Sequence, residues 1–283
     1  MQISRSQPNR SALYLPASNA RALDKARNLG CDLIIFDLED AVAPDQKAAA
    51  RQDLAAALAQ GGYGNRQRIV RINALDSAWG PDDAAALGAM APDGALLPKV
   101  NGPQDIDALA ALAPGLPLWA MVETPVGVLN AAQIAAHPAV VGLVLGTNDL
   151  AKELGAAPGR APLQYALQVS LMAARAHGVV ALDGVYNAYR DLDGLKAECE
   201  EGRAMGYDGK TLIHPGQIET ANTVFAPSPA ELELARQQIA AYDDARANGQ
   251  GIAVLNGSIV ENLHVATAKT ILQKAAAIAM KES

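Results

Sequence analysis

Cysteine is nearly absent from this chain, with only Cys31 and Cys199 among 283 residues. The pair forms neither a CxxC motif nor part of a ligand cluster, so a thiolate metal site is excluded and buried or inert thiols are expected. Histidine is also scarce, at four residues, and no HxxxH pair occurs. Aromatic residues make up 4%, leaving few platforms on which bases could stack. Positive charge is short as well: the formal net charge is −7, which argues against a nucleic-acid partner while still permitting a local basic cluster for a small anionic ligand. No window approaches the ~18 consecutive apolar residues of a membrane span. The N-terminus, "MQISRSQPNRS", is polar and has no apolar h-region, so no signal peptide and a cytoplasmic location are expected. No GxGxxG follows the first apolar run, which removes support for a dinucleotide-binding doubly wound sheet.

What is present is a sizeable apolar fraction, 50%, distributed with a rhythm. Eight short runs recur: "ALYLPA" (12–17), "DLIIFDLED" (32–40), "RIVRINA" (68–74), "GALLPKV" (94–100), "LPLWAMVE" (116–123), "VVGLVLGT" (140–147), "VVALDGV" (179–185) and "GKTLIHP" (209–215). Ala-rich stretches of helical patterning separate them. Continuous rather than alternating apolar runs suit parallel strands buried on both faces. Eight strands each followed by a helix predict an α/β fold, a (β/α)8 TIM barrel over residues 1–226. After "APSP" the pattern changes to helix, short hairpin and amphipathic helix, a C-terminal lid or oligomerisation extension over 227–283.

Polar residues gather at the strand ends, where such barrels place their chemistry. They are Asp37, Glu39 and Asp40, then Arg71 and Asn73, Lys99, Glu123, Thr147 to Asp149, Asp183, and His214. Carboxylates crowded at one mouth repel unless a cation sits among them. With oxygen donors alone on offer, a hard ion is selected, most naturally Mg2+ held by Glu123 and Asp149 on adjacent strands. The competing readings are that Glu123 pairs with an Arg such as Arg71, and that Asp149 caps a helix.

These stretches, above all "IIFDLEDAVAPDQKAAAR", "LLPKV", "MVETPVGVLNA", "LGTNDLAKELG", "LDGVYNAYRDLDGLKAE" and "GYDGKTLIHPGQI", resemble the CitE-like branch of the HpcH/HpaI aldolase superfamily. That branch includes the citrate lyase β subunit, malyl-CoA and citramalyl-CoA lyases, and (3S)-malyl-CoA thioesterases. The resemblance spans nearly the whole chain and implies Mg2+, a CoA-thioester ligand and a homotrimer or homohexamer. It makes Glu123 and Asp149 metal ligands, Arg71 the group that contacts the reacting oxygens, and Glu39 and Asp40 an acidic pair organising metal-bound water. Gly146 and Thr147 match the loop that receives a substrate carboxylate, and Tyr14 and Lys25 match residues that touch CoA. Asn19 stands where some lyases carry an Arg. The pyruvate aldolases of the superfamily have a His at the end of strand two; "DLEDA" has none, which points to the CoA-ester branch. In "NGSIVENLH", Glu261 takes the place of a lid Asp thought to act across a subunit boundary. "IVENLH" and "GTNDLAKELG" look more like the malyl-CoA thioesterases than the lyases.

The activity so implied is Mg2+-dependent retro-Claisen cleavage of a malyl-CoA or citramalyl-CoA type ester, with Arg71, Asp40 and Glu261 as the catalytic set. The alternatives are hydrolysis of malyl-CoA to malate and CoA in the same site, and a non-catalytic CoA-ester-binding or citrate lyase β-like subunit. Other residues carry plainer expectations. Lys99 pairs with a strand-end acid, Lys47 and Arg51 lie on a solvated face or an interface, and His214 is structural or catalytic. No role is expected for His137 or His177, and His264 lies in the lid.

Overall fold

Along the strand Leu33–Asp37, alternate side chains face opposite ways and all five are buried, which is why the run reads as continuously apolar. This is β2 of a set that also comprises β1 (Ser11–Pro16), β3 (Gln67–Arg71), β4 (Gly94–Leu97), β5 (Leu118–Val122), β6 (Val140–Leu145), β7 (Val180–Asp183) and β8 (Gly209–Leu212). In the computed structural model, which describes residues 5–282, each of the eight pairs in parallel with its neighbours in chain order, and β8 closes on β1. Residues 1–4, part of the polar N-terminus read above, lie outside the described residues. The protein is a closed (β/α)8 barrel, as the eight runs predict.

The intervening helices are α1 (Ala20–Lys25), α2 (Lys47–Gln60), α3 (Gly80–Met90), α4 (Pro103–Leu112), α5 (Pro125–Leu129) and α6 (Ala131–Ala135). They continue with α7 (Thr147–Leu154), α8 (Gln164–His177), α9 (Leu192–Met205) and α10 (Ile218–Phe225). Glycines in the left-handed conformation, Gly155, Gly178 and Gly206, end α7, α8 and α9. Leu33, Ile35, Ile69, Trp119, Val144 and Leu182 fill the lumen, and the opposite strand faces pack against the helices. Both cysteines are buried, and burial pushes the Cys199 thiol up to about 12, so it stays protonated and inert.

One device recurs at the N-terminal end of the barrel. Asp32, Asp93 and Asp208 immediately precede β2, β4 and β8. Each carboxylate accepts a backbone N–H from or just before the neighbouring strand, at Arg10 (2.8 Å), Arg68 (2.8 Å) and Ala181 (2.9 Å). Each also pairs with an arginine: Arg10 (2.9 Å), Arg68 (3.0 Å) and Arg175 (3.0 Å). One carboxylate thus ties two strands together at the end away from the predicted chemistry.

Residues 226–282, with Ser6–Pro8, form a second unit. A capping box opens its helix α11 (Pro229–Ala247): Ser228 Oγ accepts the Glu231 N–H at 3.2 Å, and Glu231 Oε2 accepts the Ser228 N–H at 2.7 Å. An antiparallel hairpin follows, β9 (Ala253–Leu255) and β10 (Ser258–Val260), then α12 (Asn262–Glu282). Ala245, Ala253, Val260 and Val265 make its small core. Among the described residues no helix is long and apolar enough to cross a membrane.

The fold subtends a direct test. Replacing Asp32 by Ala removes the carboxylate that holds both the Arg10 guanidinium and its backbone N–H in a buried setting, and breaking such a pair costs roughly 3–5 kcal/mol. A urea titration of D32A should show a loss of that size, while the exposed Lys196–Glu200 pair can be broken with less than about 0.5 kcal/mol lost.

Candidate active site

Strand periodicity decides which polar residues reach the mouth. Ile35 in β2, Ile69 in β3 and Met121 at the end of β5 face the lumen, so Asp37, Arg71 and Glu123, two positions on, face it too. The β2–β3 register sets Asp37 directly beside Arg71. Asp37 grips the guanidinium at two points, accepting from Nε at 2.7 Å and Nη2 at 2.6 Å. The same carboxylate accepts the backbone N–H groups of Glu39 and Ala41, which shapes the loop that follows. Nη1, the nitrogen not committed to Asp37, lies 3.0 Å from Glu39 Oε2 and 3.5 Å from Asp40 Oδ2. The Tyr14 ring lies under the guanidinium, 4.8 Å from centroid to Cζ. Burial opposes the charge on Arg71, yet Asp37 holds the guanidinium well above its usual range. Burial likewise pushes the Tyr14 phenol up, so it stays protonated.

Glu123 is 2% exposed and does not pair with Arg71. Its Oε1 accepts the backbone N–H of Lys99 at 2.8 Å. Lys99 adopts φ of 53°, a left-handed conformation costly for a side-chain-bearing residue, and that turn aims its N–H at the carboxylate. The Lys99 ammonium reaches back to Glu39 at 3.2 Å, the ion pair with a strand-end acid expected from the sequence. A Cβ on Gly146 would fall 2.5 Å from Glu123 Oε2, so only glycine lets β6 pass this close to the acid. Burial, together with the charges of Glu39 and Asp149, raises the Glu123 carboxyl to about 8; burial also raises Glu39.

Asp149 lies in the first turn of α7, behind Gly146, and makes no cap, which removes the competing reading of this residue. Glu123, Asp149, Asp40, Arg71, Tyr14, Gly146 and Thr147 line one cavity of about 330 Å3. Glu39 stands behind Arg71, buried, while the Asp40 side chain is 64% exposed at the rim. Apolar wall residues absent from the sequence reading complete it: Pro16, Met121, Leu145, Val185 and Ile213. Lys25 ends α1 with an exposed side chain and is not among the lining residues. Asn19 caps α1, accepting the Ala22 N–H. Glu261 follows β10 in the C-terminal unit with its side chain exposed, and its backbone N–H donates to His264 Nδ1. His214 accepts the Gly216 N–H and stacks on Tyr189, a structural arrangement.

Two further expectations fail. Lys47 is buried, not solvated: its Nζ donates to the carbonyls of Leu38 (3.0 Å) and Glu39 (2.9 Å), and Arg51 pairs with buried Asp83. Lys47 thereby pins the loop carrying Glu39 and Asp40. Asp183 does not join the mouth. Val180 and Leu182 face the lumen, so Asp183 must face outward, and period-two counting along "VVALD" carries that signal.

A closed parallel barrel with acids and one clamped guanidinium on its C-terminal rim is the layout of a (β/α)8-barrel enzyme. The chain belongs to the HpcH/HpaI aldolase/citrate lyase family, whose model matches residues 10–215. It is 58% identical over 274 residues, 96% of each chain, to the (3S)-malyl-CoA thioesterase of Cereibacter sphaeroides strain KD131. Against the citrate lyase subunit beta of Escherichia coli K12 it is 32% identical over 296 residues, covering 100% of this chain and 98% of that one. Among solved structures it resembles CitE from Mycobacterium tuberculosis in complex with magnesium, acetoacetate and coenzyme A, with TM-score 0.81 and 31% identity over 96% of this chain and 99% of that one. These relatives favour the thioesterase alternative over the lyase reading placed first from the sequence.

The elevated Glu123 carboxyl has a measurable consequence in chelator. A group whose folded value is raised contributes stability that is complete below its unfolded value, near 4.5, and lost as pH rises to about 8. The difference in urea midpoint between Glu123→Gln and wild type should therefore grow in favour of the variant from pH 5 to 8 and stay level above. A constant difference across that window would refute the buried, uncompensated carboxyl.

Proposed function

We propose that this protein is a Mg2+-dependent thioesterase that hydrolyses malyl-CoA, a short 3-hydroxy-dicarboxylyl-CoA, to malate and CoA. The observation that carries this reading is the 58% identity, over 96% of both chains, to a protein named (3S)-malyl-CoA thioesterase. Retro-Claisen cleavage of the same ester is the second reading, favoured by the citrate lyase relatives.

The residues fit a hard divalent cation. Glu123 carries a carboxyl raised by burial and then by the charges of Glu39 and Asp149, and it lines one cavity with Asp149, Asp40 and Asp37. Among the described residues no three His, Cys, Asp or Glu side chains converge on one point. We take Glu123 and Asp149, which line one cavity, as the protein's own ligands, with water and substrate oxygens filling the rest, an arrangement that would suit Mg2+. Bound there, the ion supplies Lewis-acid polarisation of substrate oxygens.

The chain's own residues perform the remaining tasks. Arg71 offers Nη1 to the oxyanion that forms on the thioester carbonyl, and Asp37 keeps the fork from turning away. The N-terminal turn of α7, at Gly146 and Thr147, receives the substrate's free carboxylate. Asp40 or Glu261 takes the proton of the attacking water, the C–S bond breaks, and CoA leaves as its thiolate. Tyr14 and Lys25 remain the proposed CoA contacts, Glu261 a lid residue, and a homotrimer or homohexamer the proposed assembly.

Incubation with malyl-CoA and Mg2+ should yield malate and free CoA; glyoxylate with acetyl-CoA would establish the lyase instead. Glu123→Ala should lose either activity by at least a hundredfold, and full turnover of that variant in EDTA would sink the site assignment. Because the cation needs Glu123 deprotonated, Mg2+ affinity should rise about tenfold per pH unit up to about 8 and then level off, with a proton released on binding below that pH. Isothermal titration in two buffers of different ionisation enthalpy measures both.

A further inference from the structure

Behind the cavity wall lies a buried ion cluster to which no role has been given. Asp183, 0% exposed, holds Arg160 Nη1 at 2.9 Å through each of its oxygens and Lys210 Nζ at 3.0 Å. Lys210, equally buried on β8, also donates to Glu198 Oε1 of α9 at 2.6 Å, and Arg160 Nε lies 3.1 Å from Glu201 Oε2. Buried ion clusters of this kind are poor sources of stability, since well-packed apolar residues of the same volume serve as well or better. Their value lies in fixing geometry.

The geometry fixed here is that of the α7 segment. Arg160 lies just beyond α7, in the stretch between Leu154 and the next helix, and the cluster ties that stretch to the end of β7. From the same Asp183, the carboxylate accepts the Gly184 N–H at 2.9 Å, and the carbonyl accepts Thr211 Oγ1 at 3.0 Å. Gly184 in turn presses on the opposite end of α7: a Cβ there would fall 2.5 Å from Thr147 Oγ1 and 3.0 Å from the Leu145 carbonyl. On α9, a Cβ on Gly202 would meet Asp183 Oδ2 at 2.8 Å, so the glycine leaves the carboxylate the space it occupies against that helix. Asp183 thus holds Arg160, beyond the C-terminal end of α7, while its neighbour Gly184 packs beside Thr147 at the other end, and its carbonyl holds Thr211 in the facing wall of the cavity. Neither Asp183 nor Lys210 lines that cavity, and Arg160 lines a neighbouring one of about 630 Å3 that shares Thr147, Asn148 and Val185 with it.

We infer that Asp183 and Arg160 are positioning residues that hold the first turn of α7, and with it the Asp149 carboxylate, in register with Glu123 across the mouth. The inference rests on the cation site proposed above. It predicts that loosening the cluster spoils ion binding and turnover, because supporting groups of this kind change metal affinity or activity by about 10–100-fold.

The experiment uses the full chain with Mn2+ as probe, its free concentration read by electron paramagnetic resonance, and malyl-CoA as substrate. Asp183→Asn and Arg160→Lys, each shown to be folded by circular dichroism, should bind Mn2+ at least tenfold more weakly than wild type. Their kcat should fall at least tenfold. A purely structural cluster would lower the melting temperature and leave Mn2+ affinity and kcat intact; that outcome overturns the inference. Should Asp183→Asn fail to fold, Arg160→Lys alone decides by the same readouts. If wild type binds Mn2+ but leaves malyl-CoA intact, the thioesterase reading falls while Mn2+ affinity still decides the positioning role. A wild-type chain that binds no Mn2+ overturns both.

Discussion

Negative charge crowded into a poorly solvated rim is the constraint on which the rest of this structure turns. Asp37, Glu39, Asp40, Glu123 and Asp149 share one mouth and are met from the protein by Arg71 and Lys99. Such a set is costly to bury unless each charge has a defined partner. Asp37 spends both oxygens on Arg71, and Glu39 divides between Arg71 and Lys99. Glu123 has a single backbone N–H on one oxygen, and burial, with the nearby charges of Glu39 and Asp149, raises its proton affinity against that bond. The unmet charge is concentrated where a cation would be useful.

The barrel supplies this arrangement through supports that never meet a ligand. Lys47 pins the loop after β2 by its carbonyls, and the strained turn at Lys99 aims a backbone N–H at Glu123. Gly146 removes the side chain that would collide with that acid. The Asp183 cluster stands in the same relation to α7. At the other end of the barrel, the Asp–Arg ties at Asp32, Asp93 and Asp208 serve strand pairing, so stability and chemistry occupy opposite rims.

Much of this was legible from the chain alone, for a simple reason. Parallel strands buried on both faces must be continuously apolar, so eight such runs counted out the barrel, and the polar residues closing each run named most of the mouth. What escaped detection was whatever depends on direction. Asp183 was grouped with the mouth acids because its place at a strand end was read without its parity, and Lys47 was assigned to solvent because a charged residue in a polar stretch gives no sign of reaching back to buried carbonyls. Asp149 could be read as a cap beside its reading as a metal ligand, and the start of the helix before it, at Thr147, removes the cap.

By itself the sequence determined the strand count, the family resemblance and the acids at the mouth, because these follow from local composition and period. Only the tertiary structure decided which acid holds the guanidinium, which stands nearly unpartnered, and which turns outward to brace a helix. Those outcomes depend on register between strands distant in the chain and on the burial of each carboxylate, neither of which a linear pattern contains.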